Sequence, residues 1–174
     1  MSNTNAIYVG AFDESIWVRC EGKGSFMNSP LIKTWVDQQL EAGCKWVVVD
    51  LEPCTGMDST FMGTLAGIAM RLNKLPEGKM DVISAGEKNS QSLDDLGLSA
   101  LMSICEDEGD LAEKVKEYRP QLQEFTPGAT VGDRTQHVFD AHKTLVEADD
   151  SNTEKFSTVL DCLEAELASR RASS

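Results

Sequence analysis

Asp58-Ser59-Thr60 stands between an unbroken apolar run, Val47-Val48-Val49, and the spaced apolar residues Phe61, Met62, Leu65, Ile68, Ala69 and Leu72. Asp58 has the side chain of a helix N-cap, which places Ser59 at the first helical position with its hydroxyl directed to solvent. Met57 and Met62 then hold the N′ and N4 positions of a hydrophobic staple. A helix start carries unpaired N–H groups and partial positive charge, so a phosphate attached to Ser59 is tolerated there. On local physics alone, the reading to be preferred is a hydroxyl pair that only helps to cap the helix.

Other candidate groups offer less. His137 and His142 lack the i, i+4 spacing that sets two ligands on one helical face, so both are read as packing residues and no metal site is expected. Gly22-Lys23-Gly24 and Ala85-Gly86-Glu87-Lys88 lack the spacing of a phosphate loop. Cys44 and Cys54 have no evident activating base and no triad can be assembled, so neither catalysis nor a cofactor is expected. Cys20, Cys44, Cys54, Cys105 and Cys162 are odd in number and contain no CxxC pair, as free thiols of a reducing compartment would be.

Charge narrows the partners. Sixteen basic residues against 29 acidic ones leave a net charge of −13, which repels nucleic-acid phosphates and anionic lipid and points to protein partners. The acidic runs at 106–110 and 147–150 read as solvated faces. No window approaches the ~18 apolar residues of a membrane span, and the first residues lack a leader pattern, so the expected location is the cytoplasm.

These residues must be positioned by a framework, and its pattern is legible. Residues 6–22 contain two β-rich runs around Asp13-Glu14-Ser15, a hairpin whose second strand alternates Ile16, Val18 and Cys20 with Trp17, Arg19 and Glu21, as in a half-exposed strand. Ser29 is a cap candidate, Pro30 suits the first helical turn, and Ile32, Trp35, Val36 and Leu40 form a helical stripe ended at Gly43. Residues 45–51 suit a strand covered on both faces, 52–57 a loop, and 59–72 a helix packed on the sheet. Short strands at 81–85 and 101–105 enclose a helix at 90–96, and a weakly amphipathic helix follows at 108–118.

Strand and helix alternation after an opening hairpin predicts an α/β domain with a mixed sheet over residues 1–118. Pro120, Pro127, Gly128 and Gly132 mark a linker. Beyond it, Val138, Ala141, His142 and Leu145 make one stripe and Phe156, Val159, Leu160, Leu163 and Leu167 another, with capping-box spacing at Ser151 and Glu154. Residues 119–174 therefore read as a linker and a C-terminal helical hairpin, whose apolar faces require burial on the domain or on a second copy of the chain.

The segment VVVDLEPCTGMDSTFMGTL resembles the signature of the bacterial STAS family of anti-sigma-factor antagonists, through Asp50, Leu51, Asp58, Ser59, Thr60, Gly63 and Leu65. The likeness extends over residues 6–118, and SLDDLGLSALMSI resembles the family's stretch before its last strand. Phe61 stands where the common motif has glycine, which predicts a bulkier first helical turn. The resemblance implies a cytoplasmic, non-enzymatic phosphoprotein in signal transduction and transcription regulation. Ser59 would be phosphorylated, Thr60 less readily, by a protein kinase that is itself the anti-sigma factor, of the histidine-kinase-like ATPase superfamily. A serine phosphatase would remove the phosphate, and Asp58, Ser59, Thr60 and Phe61 would meet the partner. The alternative is a STAS-like scaffold in a larger signalling assembly that does not switch, and the C-terminal helices could form a homodimer.

Overall fold

The computed structural model describes residues 5–126 and 134–172. The opening hairpin is β1 (Ala6–Ala11) and β2 (Ile16–Gly24), paired antiparallel with Ala11 opposite Ile16. β2 pairs parallel with β3 (Trp46–Asp50), which pairs parallel with β5 (Lys79–Ile83) and then β6 (Ser103–Ile104). A short β7 (Gln123–Glu124) adds to the outer side of β1, so the order is β6-β5-β3-β2-β1-β7. The expected mixed sheet is the observed one.

Alternation along the strands divides two cores. Ile16, Val18 and Cys20 of β2, Val47 and Val49 of β3, and Met80 and Val82 of β5 face the large core under α1 (Ser29–Glu41) and α2 (Ser59–Asn73). Trp17, Val48 and Ile83 face the other side, where Val115 of α4 (Ala112–Tyr118) covers them. Phe12 stacks on Tyr118 at 3.9 Å, and Trp17 meets the same ring edge-on. Trp17 is thus fully buried, not half-exposed as its alternation suggests, because β2 is a central strand roofed on both faces.

Three local expectations are corrected. Residues 54–57 form a strand, β4 (Cys54–Met57), parallel to the end of β2; Pro53 and Gly56 conceal it in the sequence. The residue before α1 is Asn28, since Ser29 is already helical; the Asn28 amide folds back to Ser25 and Lys23. The Ser151 hydroxyl and amide both go to Asp149, and α6 starts at Asn152. The helix at 90–96 lies within α3 (Gly86–Asp95), and residues 109–111 precede α4 as a tighter turn.

The C-terminal stripes form α5 (Arg134–Ala148) and α6 (Asn152–Ala172). Isolated helices of this length are marginal in water, and α5 lies across α2 with Ala141, His142 and Leu145 buried. α6 lies on α5, held at its start by Asn152, which donates to the carbonyls of Leu96 and Leu145 at 3.0 and 2.8 Å. Most of α6 is exposed, apart from residues such as Phe156 and Leu167. Pro127, Gly128 and Gly132, read as part of the linker, lie outside the described residues.

Candidate functional site

The start of α2 is pinned from several directions. The Asp58 backbone is extended, at φ −90°, and one carboxylate oxygen accepts the Phe61 N–H at 2.8 Å, as an N-cap should. The other accepts the Phe26 N–H at 2.9 Å, and the Asp58 N–H donates to the Gly24 carbonyl at 2.9 Å. These bonds tie the helix start to the chain leaving β2. Met57 and Met62 both pack against the large core.

Phe61 is fully buried, and the room for it comes from β2: a Cβ on Gly24 would lie 2.8 Å from its ring. The bulk introduced where the motif has glycine is therefore turned inward, and the outer surface of the first turn is no larger for it. Thr60 is also buried, and its carbonyl accepts the Thr64 hydroxyl at 2.9 Å. Of the four residues expected to meet a partner, Asp58 and Ser59 are half-buried while the side chains of Thr60 and Phe61 lie inside.

The Ser59 hydroxyl does not point into solvent as expected. It lies 2.7 Å from Nε2 of His142, which is itself 4% exposed beneath α6. His142 Nδ1 is 2.8 Å from the Val138 carbonyl. A carbonyl can only accept, so Nδ1 carries a proton; in the neutral ring Nε2 is then the acceptor and Ser59 donates to it. The ring of Phe156 meets His142 edge-on at 5.0 Å. One turn earlier, Nε2 of His137 lies 2.9 Å from the Ser29 hydroxyl and 3.2 Å from that of Thr64. Burial disfavours the charged ring, and with Lys33 nearby it holds the His137 pKa below its ordinary 6.5.

Both histidines are packing residues, but they pack by bonding the hydroxyls of α1 and α2. Their place on the apolar stripe with Ala141 and Leu145 was the available signal: an imidazole on a buried face needs a partner. The close approach comes from Gly63. A Cβ there would run into the Ala141 carbonyl and lie 3.0 Å from the Ala141 methyl. Gly67, a turn later, faces Thr144 more loosely, its Cβ position 3.8 Å from Cγ2.

The Ser59–His142 distance is that of a nucleophile and its base. The nearby cavity, about 320 Å³ between α1, α2 and α5, is lined by Lys33, Asp37, Gly67, Met70, His137 and Thr144 among others, and neither Ser59 nor His142 is in its wall. Asp58 already takes the Phe61 N–H that an oxyanion would need. What the bond does in the fold is tie α5 to the start of α2.

Beside the site, Phe26 and Met27 are 44% and 51% exposed. Exposed aromatic and methionine side chains next to a fixed helix start are suited to a protein interface, and pattern reading passed over them because they fall in a connection. The signature residue Asp50 is by contrast fully buried, between Arg19 at 2.7 Å and Arg119 at 2.8 Å. Cys20 and Cys54 are buried free thiols in the large core, Cys44 and Cys105 are half-buried, and Cys162 is exposed. Among the described residues, no group of three or more His, Cys, Asp or Glu is placed to hold a metal ion, and no helix is long and apolar enough to cross a membrane.

Comparison with known proteins accounts for this framework. An anti-sigma factor antagonist from Mycobacterium paratuberculosis is 17% identical, with a TM-score of 0.53 over 68% of this chain and 97% of its own. The anti-sigma factor antagonist SpoIIAA, in its unphosphorylated form, is 16% identical, with a TM-score of 0.53 over 66% of this chain and 97% of its own. At such identities the likeness shows the fold. A search of curated proteins finds no matching sequence. The STAS domain profile matches residues 10–111, from the end of β1 to the turn before α4, and so includes the Asp58-Ser59-Thr60 helix start. The chain belongs to the STAS domain family, and it carries α5 and α6 beyond the matched residues.

Proposed function

We propose that this protein is an anti-sigma-factor antagonist whose affinity for its partner is set by phosphorylation of Ser59. The observation that carries this reading is the setting of that residue: in a STAS domain, Ser59 opens α2 next to a capping Asp58, and its hydroxyl is bonded to His142 of α5. One structural neighbour is named as an antagonist in an unphosphorylated form, which supports a modifiable state in this fold. The unphosphorylated chain captures a protein kinase that doubles as an anti-sigma factor, of the histidine-kinase-like ATPase superfamily, and a serine phosphatase resets it. Asp58, Ser59 and the exposed Phe26 and Met27 form the partner surface. Thr60, being buried, is the weaker phosphate acceptor.

The charge change is large enough. A phosphate adds about −1.5 to −2 charges at neutral pH. Against a partner carboxylate ~6 Å away, repulsion is roughly 3 kcal/mol per unit charge at an effective dielectric of ~20. Half of that weakens binding about tenfold.

Phosphopeptide mapping of protein from its own cells is the direct test, and phosphate on Ser59 is expected. Ser59→Ala should bind the kinase persistently and take up no phosphate, Ser59→Asp should bind at least tenfold more weakly, and Thr60→Ala should remain phosphorylatable. Normal phosphate uptake by Ser59→Ala would remove the switch. A second reading, a scaffold that does not switch, is favoured by the engagement of the Ser59 hydroxyl under α5, and a persistently unmodified Ser59 within a large assembly would select it.

A further inference from the structure

We propose that α5 is an internal ligand of the α2 face, and that the partner reaches Ser59 by seating a helix of its own, small at the crossing point, where α5 now lies. This rests on the reading that a kinase partner acts at Ser59. The seat is shaped for a helix. Gly63 lets a backbone approach so closely that a Cβ on it would strike Ala141, and opposite it only a small side chain leaves that approach open. The occupant is bound by contacts that can be undone: His142 on Ser59, His137 on Ser29 and Thr64, and packing at Ala141 and Leu145.

α5 is also an addition to the fold. The family match ends at residue 111, and the neighbours align over 97% of their own length while leaving about a third of this chain unmatched. α6 secures α5 through Phe156 on His142 and Asn152 on the Leu145 carbonyl, so the pair leaves or stays together. Beside the seat, Phe26 and Met27 stay exposed even with α5 in place, which gives an incoming helix a first contact before α5 is displaced. In the resting chain the partner surface is therefore partly covered, and capture requires that the hairpin be lifted.

The test uses the full chain with Ser59→Cys and follows N-ethylmaleimide labelling of that position by peptide mapping, apart from the native cysteines. Adding Gly67→Cys and Thr144→Cys, at positions that face each other with the Gly67 Cβ position 3.8 Å from Thr144 Cγ2, should lower the labelling rate at least tenfold once the disulfide has formed. Ala141→Trp, which overfills the crossing, should raise it at least tenfold; His142→Ala serves if that variant does not fold. A fluorescent peptide of residues 134–148 is the stand-in helix, and it should bind the Ala141→Trp chain at least tenfold more tightly than wild type. Labelling that ignores the crosslink, or a peptide that binds no variant, would overturn the proposal. A dimer on size exclusion that takes α5 from a second copy would overturn it as well. A kinase recovered with the chain should be captured by the reduced crosslink variant and not by the oxidised one. The labelling and peptide readings use neither kinase nor phosphate, so their failure leaves the Ser59 switch standing, while an unphosphorylated Ser59 leaves the masking intact.

Discussion

Two polar clusters lie within the chain, and they are built on opposite lines. At the end of β3, Asp50 is fully buried and accepts from Arg19 at 2.7 Å and from Arg119 at 2.8 and 3.1 Å, while Glu52 accepts from both arginines at 2.9 Å. At the start of α2, Ser59, Ser29 and Thr64 meet His142 and His137 through single bonds between uncharged hydroxyls and imidazoles. Removing one member of a buried charged set strands the others at several kcal/mol. Losing a bond between a hydroxyl and an imidazole costs about 1 kcal/mol, because it strands no charge. The charged cluster holds β2, β3 and the segment after α4 together for good. The neutral one holds α5 in a way that a competing helix can match.

The contrast is open to direct attack, and the largest effect should come from its charged side. Asp50→Ala leaves Arg19 and Arg119 facing each other without the buried carboxylate and should destabilise the whole chain by ~3–5 kcal/mol, read from the urea midpoint. A loss under ~1 kcal/mol would show that the two clusters do not differ as argued. Gly63→Val should cost less, ~1–3 kcal/mol from overpacking against Ala141. Its mark should be local: faster amide exchange in α5 and α6, with β3 unchanged. Faster exchange spread evenly over the sheet would count against a separately removable hairpin.

His142→Ala should cost about 1 kcal/mol, with the loss again confined to α5 and α6 in hydrogen exchange. The smallest effect belongs to His137. Its pKa is lowered on folding, so the unfolded ring, near 6.5, takes the proton first as pH falls. Its contribution is full above 6.5 and fades as pH drops through the lowered folded value, because unfolding there takes up a proton. Urea midpoints at pH 7.5 and 5.5 should show a decline that His137→Gln reduces; an equal decline in both proteins would place the pH sensitivity elsewhere.

Much of the framework was legible because it depends on near neighbours. The apolar run of β3, the hairpin turn and the cap at Asp58 each involve residues within a few positions, and the structure places all three where pattern and propensity put them. β4 was missed since four residues containing Gly56 carry little strand signal, and the strand exists only because the end of β2 offers it a parallel edge. Trp17 was misjudged for a related reason: alternation reports which residues share a face, but whether α4 roofs that face is settled 100 residues away in sequence terms, by Val115 and Tyr118.

The candidate site divides in the same way. The sequence by itself determined that Asp58 would cap a helix opened by Ser59, because a carboxylate three residues before the Phe61 N–H closes that bond locally. It also determined that the two C-terminal stripes would need burial. Only the tertiary structure decided that the first of them is buried on α2 of the same chain with α6 laid on α5, and that Ser59 meets His142 across 83 residues. That pairing follows from the space left by Gly63, through which α5 comes close enough for an imidazole to reach a hydroxyl. Local rules set where a helix begins; which surface it then covers depends on shapes that meet only once the chain has folded.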